Sequence, residues 1–295
     1  MWEREVELTS DMKIKQYNTL NVNPLPNFMK GYPITDNKCW FNSVMINLYN
    51  SEVFQKVINE LASKAKNKSA SPSYWIKQIF NNIKTGDMKN YVENLNGLAK
   101  VVDVHSNFDI DDKNCPMNAY GKIIHGVLNE AESSSIAITD KLVTTRSSKT
   151  IYDCGHHEEQ ISYLTYFKID NRFSISNIID VSDGEICSKC NSKSYQIRNM
   201  QKILAVPQLL SIKTNEGDAL KQTISINDRK GIHLYKLIGV VDGTTNSDDG
   251  HYVAKLKLED GEFYNLDDLN TENVTKIKFD RKNKYRTFAF YEIVL

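Results

Sequence analysis

The stretch "ITDNKCWFNSVMINLYN", residues 34–50, places a cysteine where a polar turn changes into a helical pattern. After Cys39, apolar side chains recur with the spacing of one helix face, at Phe41, Val44, Met45 and Leu48. The N–H groups at a helix N-terminus stabilise negative charge, on a thiolate and on an oxyanion formed beside it. Cys39 is therefore either a nucleophile at a helix start or a buried core thiol, and this stretch alone favours neither.

Composition and charge exclude several classes of protein. The chain has 295 residues, with 37 Lys+Arg and 37 Asp+Glu, so its formal charge is zero and no basic stripe for nucleic acid is expected. No stretch approaches 18 consecutive apolar residues, so we expect no membrane insertion. The charged start "MWEREVELTSDMKIK" lacks an apolar signal core, which predicts a cytoplasmic protein. We assume a monomer.

The hydrophobic period changes along the chain and predicts an α+β fold. Residues 39–130 are mostly helical in pattern, and Ser71-Pro72 is typical of a helix start. From about residue 135 the period becomes two, in short runs such as "ISYLTYFKI" and "RTFAFYEIV" that turn residues separate. A helical half followed by a β half indicates a segregated antiparallel sheet.

A cysteine nucleophile needs a histidine base, and His251 is the best candidate among the six histidines. It begins the strand-like run "HYVAKLKL" after a Gly- and Asp-rich loop, and the turn "EDGE" then reverses the chain into "FYNL" and Asp267. In such a hairpin the start of the first strand lies beside the end of the second. We therefore expect Asp267 to hold the imidazole tautomer and to stabilise the imidazolium.

Three of the five cysteines lie in two short motifs, "CGHH" at 154–157 and "CSKC" at 187–190. An odd number of cysteines without a secretion signal argues against a disulfide framework and favours metal binding or chemistry. The spacing predicts one Zn²⁺ held by Cys154, His157, Cys187 and Cys190, although His156 could serve in place of His157. Four protein ligands leave no position for water, so this zinc would be structural.

Together "DNKCWFNSVMINL" and "GHYVAKLKLEDGEFYNLDD" resemble the catalytic motifs of papain-like cysteine proteases of the ubiquitin-specific protease type. The sequences of the two motifs are most similar to those of viral members, namely nidovirus papain-like proteases. The first motif is also similar to the corresponding motif of the aphthovirus leader protease. The resemblance implies that Cys39 is the nucleophile, His251 the general base and acid, and Asp267, not Asp268, the orienting carboxylate. Many relatives carry a side-chain oxyanion donor where this chain has Ile34, so Asn37 is the candidate donor.

The resemblance also implies an architecture. It covers residues 34–295 and divides them into a helical thumb with the nucleophile (34–135), zinc-binding β fingers (136–212) and a β palm (213–295). The polar residues before them, which include two prolines, indicate an N-terminal arm or short β-hairpin (1–33). Hydrolysis would follow the Gly-Gly terminus of ubiquitin or a ubiquitin-like modifier. The loop 242–250, with Asp249 and Gly250, would close over that tail.

The resemblance further implies cleavage of a viral polyprotein. Two alternatives remain. One is a polyprotein-processing cysteine protease without ubiquitin activity, and the other is an inactive binding module stapled by zinc.

Overall fold

The protein is described by a computed structural model for residues 39–104, 116–168, 176–214, 219–244, 251–267, 274–282 and 286–294. The expected arm at 1–33 lies outside these residues. Within the described ranges the helices precede the strands, as the periodicity predicts. The helices are α1 (Cys39–Tyr49), α2 (Glu52–Lys64), α3 (Pro72–Thr85), α4 (Met88–Val104), α5 (Pro116–Ser133) and α6 (Thr139–Leu142), with a 3₁₀ turn at Lys68–Ala70.

The strands form two sheets in the described part of the chain. They are β1 (Thr144–Ile151), β2 (His157–Leu164), β3 (Phe167–Lys168), β4 (Ser176–Ile186), β5 (Lys193–Ala205), β6 (Leu209–Lys213), β7 (Thr223–Asp228), β8 (Gly231–Thr244), β9 (His251–Lys257), β10 (Phe263–Leu266), β11 (Thr275–Ile277) and β12 (Arg286–Ile293). The smaller sheet has the order β2-β1-β5-β4, and the larger has the order β11-β10-β9-β8-β12-β6-β3, with β7 paired to β8. All pairs are antiparallel except β3 with β6. The α+β prediction is confirmed.

Helix α1 is the central element of the core. The sequence indicates one apolar face, but all of its residues from Cys39 to Tyr49 are buried. The reason is tertiary: α1 packs against α2 and α5 on one side and against β8 and β9 on the other. A helix enclosed in this way loses the freedom to tilt, because protein cores are packed as densely as organic crystals.

The next two long helices begin with serine caps that carboxylates from distant elements reinforce. The Ser51 hydroxyl accepts from the Phe54 N–H and donates to the buried Glu292 of β12. The Ser71 hydroxyl caps α3, with Pro72 as the first helical residue, as its sequence predicts. Because β12 supplies the carboxylate at the start of α2, the helical half is fixed to the larger sheet at this point.

Strand β6 lies in the larger sheet, where it pairs with β12 along Leu209–Lys213. The predicted fingers segment ends at residue 212, inside this strand, while β1, β2, β4 and β5 form the separate smaller sheet.

Among the described residues, no helix combines the length and the apolar character that crossing a membrane requires.

A buried ion cluster ties three strands of the larger sheet together. Arg286 Nε donates to Asp242 Oδ1 at 2.9 Å, and Lys255 Nζ donates to Asp242 Oδ2 at 2.7 Å. The Arg286 guanidinium also lies 4.6 Å from the centre of the Phe279 ring. Since Asp242 is fully buried, its charge depends on these partners.

Candidate active site and metal centre

Cys39 is the first residue of α1, where the sequence predicts a helix start. It keeps 9% of its surface exposed, more than any other residue of that helix. The next two side chains, Trp40 and Phe41, are fully covered and pack edge to face with ring centres 5.5 Å apart. Cys39 is therefore buried on the first turn of α1, though slightly less deeply than the helical residues that follow it.

His251 and Asp267 lie side by side, as the predicted hairpin requires. His251 is the first residue of β9, and Asp267 follows β10, whose Leu266 pairs with Ala254 of β9. The His251 Nε2 and Asp267 Oδ1 atoms are 2.7 Å apart, and the two side chains are 15% and 23% exposed. Because the carboxylate takes Nε2, a thiol proton would be accepted at Nδ1, and the carboxylate would stabilise the imidazolium that forms.

The packing of α1 along the sheet brings Cys39 level with His251. Near the end of α1, the Asn50 amide donates to the Ile238 and Lys257 carbonyls, and one turn earlier Asn47 donates to Val240, which pairs with Lys255. Cys39 lies eight residues before Asn47, which is about 12 Å of helix. His251 lies four residues before Lys255, which is about 13 Å of strand. The helix start and the strand start therefore reach the same end of the sheet.

Two further buried residues support the first turn of α1. The Tyr91 hydroxyl of α4 donates to Asn42 Oδ1 at 3.2 Å, and both side chains are almost fully buried. The Ser43 hydroxyl donates to the Trp40 carbonyl at 3.0 Å. Sequence reasoning missed the contact between Asn42 and Tyr91, since the spacing of two polar side chains in separate helices gives no signal of their pairing.

The metal motifs lie on two adjacent turns at the tip of the smaller sheet. One turn joins β1 to β2 and the other joins β4 to β5, and β1 pairs with β5 between them. In the first turn Gly155 adopts a positive φ of 80°, and in the second Asn191 adopts one of 56°. Both residue types tolerate this left-handed conformation, which lets each turn direct its ligands inward.

The structure brings together Cys154, His156, Cys187 and Cys190, whose ligand atoms all lie within 4.8 Å of one another. The His156 Nδ1 atom is 3.6 Å from the sulfurs of Cys154 and Cys187. Tetrahedral zinc, with bonds of about 2.0 Å to nitrogen and 2.3 Å to sulfur, separates its ligand atoms by about 3.5–3.8 Å. The donor set therefore fits a closed zinc site.

Of the two histidines that the sequence leaves open as the fourth ligand, His156 lies in the cluster, whereas His157, the first choice, lies outside it. The Tyr152 N–H donates to the His156 carbonyl, and this hydrogen bond closes the turn, so His156 is the last residue of the turn. His157 is already the first residue of β2, where it pairs with Ile151 and is exposed. The spacing in "CGHH" is compatible with either histidine, so only the turn geometry decides.

Neighbouring polar groups prepare the cluster for a cation. The Ser192 hydroxyl, 2.6 Å from the Cys190 sulfur, and the Ser192 N–H lower the pKa of Cys190 to about 6. The Asp153 carboxylate accepts from the N–H groups of Tyr195 and Gln196, which connects the first turn to β5. For Cys154 the backbone N–H of His156 lowers the pKa, but burial and the two other thiols outweigh it and raise the pKa. Cys190 is therefore the thiol most ready to bind a cation, and the two turns are held together around it.

Three predicted site residues, Asn37, Asp249 and Gly250, lie outside the described residues. The same is true of Ile34 and Asp268. Their roles at the oxyanion and at the substrate tail stay predictions.

Comparison with known proteins identifies the family. The family model described as "Ubiquitin carboxyl-terminal hydrolase" matches residues 31–291. A search of curated protein sequences found no match.

Solved structures of the yeast SAGA DUB module are similar in fold. One, which carries an Sgf73 mutant, has a TM-score of 0.70 at 13% identity and covers 94% of this chain and 71% of that chain. A second, the Ubp8/Sgf11/Sus1/Sgf73 module bound to ubiquitin aldehyde, has a TM-score of 0.67 at 14% identity, with 94% and 72% covered. A third, bound to monoubiquitin, has a TM-score of 0.65 at 15% identity, with 90% and 69% covered. The chain belongs to the ubiquitin carboxyl-terminal hydrolase family, which confirms the prediction of a thiol hydrolase of the deubiquitinase class.

Proposed function

We propose that the chain hydrolyses the bond that follows the C-terminal Gly-Gly of ubiquitin or a ubiquitin-like modifier. Cys39 is the nucleophile, His251 the base and acid, and Asp267 the orienting carboxylate. The observation that supports this most is the 2.7 Å contact between His251 and Asp267 at the strand start that lies level with Cys39. Two solved relatives are bound to ubiquitin aldehyde and to monoubiquitin, which supports ubiquitin as the modifier.

The reaction has two halves that share one proton carrier. In the first, the Cys39 thiol proton passes to His251 Nδ1 while the sulfur attacks the glycine carbonyl carbon, and the oxygen becomes an oxyanion. His251 then gives the proton to the leaving amine, the carbon–nitrogen bond breaks, and a thioester remains on Cys39. In the second, His251 takes a proton from water, the resulting hydroxide attacks the thioester, and Cys39 leaves with that proton. Asp267 stabilises the imidazolium in both halves.

The rest of the chain serves substrate binding in this proposal. The helices before residue 135 form the thumb, the smaller sheet forms the fingers, and the larger sheet forms the palm. Zn²⁺ held by the three cysteines and His156 supplies structure only, because the ligand set is closed. The loop with Asp249 and Gly250 covers the modifier's tail, and Asn37 assists the Cys39 N–H in binding the oxyanion.

Other expectations have less support. The solved relatives belong to a yeast multi-subunit module, so the viral resemblance and the cleavage of a polyprotein stay predictions that the comparisons do not support. The same holds for the monomeric state and for the cytoplasmic location. The inactive binding module is disfavoured by the intact set of Cys39, His251 and Asp267.

The test is the turnover of ubiquitin that carries a fluorogenic amide at its C-terminus. The zinc-loaded chain should release the fluorophore, the Cys39→Ala variant should not, and Cys115→Ala, which alters a cysteine that is assigned to neither site, should match the unmodified chain. Ubiquitin lacking Gly-Gly should be inert. Turnover that survives Cys39→Ala, or a folded chain that releases no fluorophore, would refute the proposal.

A further inference from the structure

Strand β8 contains a β-bulge at the place where α1 packs on it. Its pairing with β12 shifts between Phe290 and Tyr291, so Ile238 is an extra residue on β8. The Ile238 carbonyl accepts from Asn50 Nδ2 at 2.9 Å, and the same amide nitrogen donates to Lys257 of β9 at 3.2 Å. One side chain just after α1 therefore bonds both strands at a single level. Bulges often occur next to active sites, where they redirect a side chain or a neighbouring element.

Asn47 makes a second connection between α1 and the sheet. Its Nδ2 donates to the Ser43 carbonyl within the helix at 2.8 Å and to the Val240 carbonyl of β8 at 3.2 Å. The space for this amide comes from Gly239, because a Cβ there would lie 2.0 Å from Asn47 Oδ1. A side chain at Gly239 would therefore force the Asn47 amide out of this position.

These directional bonds fix what the surrounding apolar contacts leave undetermined. Hydrophobic burial is nondirectional, so an apolar helix on an apolar sheet keeps most of its burial when it slides or rotates slightly. Hydrogen bonds to fixed strand carbonyls are lost on such a movement. A shift of one residue moves a helical side chain by about 1.5 Å along the axis and about 100° around it.

We propose that Asn47 and Asn50 are positioning residues that set the register of α1 along β9, and with it the approach of Cys39 to His251. Neither side chain needs to touch substrate. A misplacement of about 1 Å between reacting groups can cost about 100-fold in rate, so a small slide of α1 acts on the chemical step far more than on binding. This inference rests on the proposed function.

The test compares kcat and KM for the fluorogenic ubiquitin substrate in three variants and one control. Asn50→Ala removes the amide, Asn50→Asp keeps its size but not its donor, and Gly239→Ala displaces the Asn47 amide from the strand side. The control is Asn94→Ala, which removes a 2.6 Å hydrogen bond to Asn82 that joins α4 to α3 and does not involve α1. Circular dichroism and zinc content establish that each variant is folded.

We expect kcat to fall at least tenfold in all three variants, with KM within twofold, while the control keeps both within twofold. The rate of covalent labelling of Cys39 by iodoacetamide should also change its pH profile in the variants, because the sulfur and the imidazole no longer approach each other. A folded Asn50→Ala chain with full kcat would overturn the inference and leave the proposed function intact. An unmodified chain without turnover would refute the proposed function itself.

Discussion

His156→Ala and His157→Ala form a matched pair that tests the metal centre. The residues are adjacent, but only His156 has its Nδ1 3.6 Å from two cysteine sulfurs, whereas His157 is exposed at the start of β2. Within the described residues the cluster consists of four side chains, with no fifth Cys, His, Asp or Glu. We therefore expect His156→Ala alone to impair zinc binding.

The magnitude follows from the loss of one ligand in four. Removing an outer-shell partner of a metal ligand costs 10- to 100-fold in affinity, so removing the ligand itself costs at least about 100-fold. At zinc concentrations that saturate the unmodified site, this lowers the free energy of unfolding by about 2.7 kcal/mol. For a chain of this size, 1 kcal/mol corresponds to about 2 °C, so the Tm should fall by about 5 °C.

The assay is zinc content by mass spectrometry after dialysis, together with thermal unfolding with and without a chelator. His157→Ala should retain one zinc per chain and the Tm of the unmodified chain, and a chelator should lower its Tm. His156→Ala has little zinc to lose, so a chelator should change its Tm little. If His157→Ala lost the metal and His156→Ala kept it, the ligand assignment would be reversed. If both kept it, the cluster would not be the zinc site.

The remaining predictions concern other charged groups. Asp267→Asn should lower kcat at least tenfold in steady-state kinetics, because the side chain that stabilises the imidazolium loses its charge. Asp268→Asn should lower kcat less. If Asp268→Asn had the larger effect, Asp268 would be the orienting acid instead. Arg286→Met should lower the free energy of unfolding, measured in urea, by about 3 kcal/mol, because it removes one partner of a buried carboxylate. Lys276→Met removes one partner of an exposed pair, with an N–O distance of 3.2 Å, and should lower it by less than about 1 kcal/mol. Equal losses in the two variants would contradict the role of burial. Burial alone would raise the pKa of Asp228, but hydrogen bonds from a histidine and two N–H groups outweigh it and lower the pKa. The stability this group contributes is therefore present at neutral pH and lost as the pH falls below about 4, so Asp228→Asn should be less stable than the unmodified chain at pH 7 and should approach it in acid; a gap that is constant with pH would refute this.

The sequence predicts well those features that depend on local spacing. The start of α1 at Cys39, the serine–proline start of α3 and the hairpin that joins His251 to Asp267 all follow from patterns within about 17 residues. The two cysteine turns are also recognisable locally. Each of these features is decided by neighbours in the chain, so a pattern is sufficient.

Features that depend on tertiary packing could not be predicted. The choice of His156 over His157 depends on where a turn ends, and the full burial of α1 depends on elements far along the chain. The amides of Asn47 and Asn50 look like ordinary polar positions, because their partners are carbonyls of distant strands, one of them at a bulge that forms only when β8 pairs with β12. Strand β6 follows the last strand of the smaller sheet in sequence but pairs in the larger sheet, because its partner β12 lies far along the chain.

The central claim is that Cys39 is a nucleophile that receives the C-terminus of ubiquitin. The most direct measurement incubates the zinc-loaded chain with ubiquitin that carries a thiol-reactive group at its C-terminus, then determines the intact mass and maps the modified peptide. We predict an adduct of one ubiquitin per chain, attached to Cys39 and missing from Cys39→Ala. An adduct on a different cysteine, or a folded chain that remains unmodified, would contradict the claim.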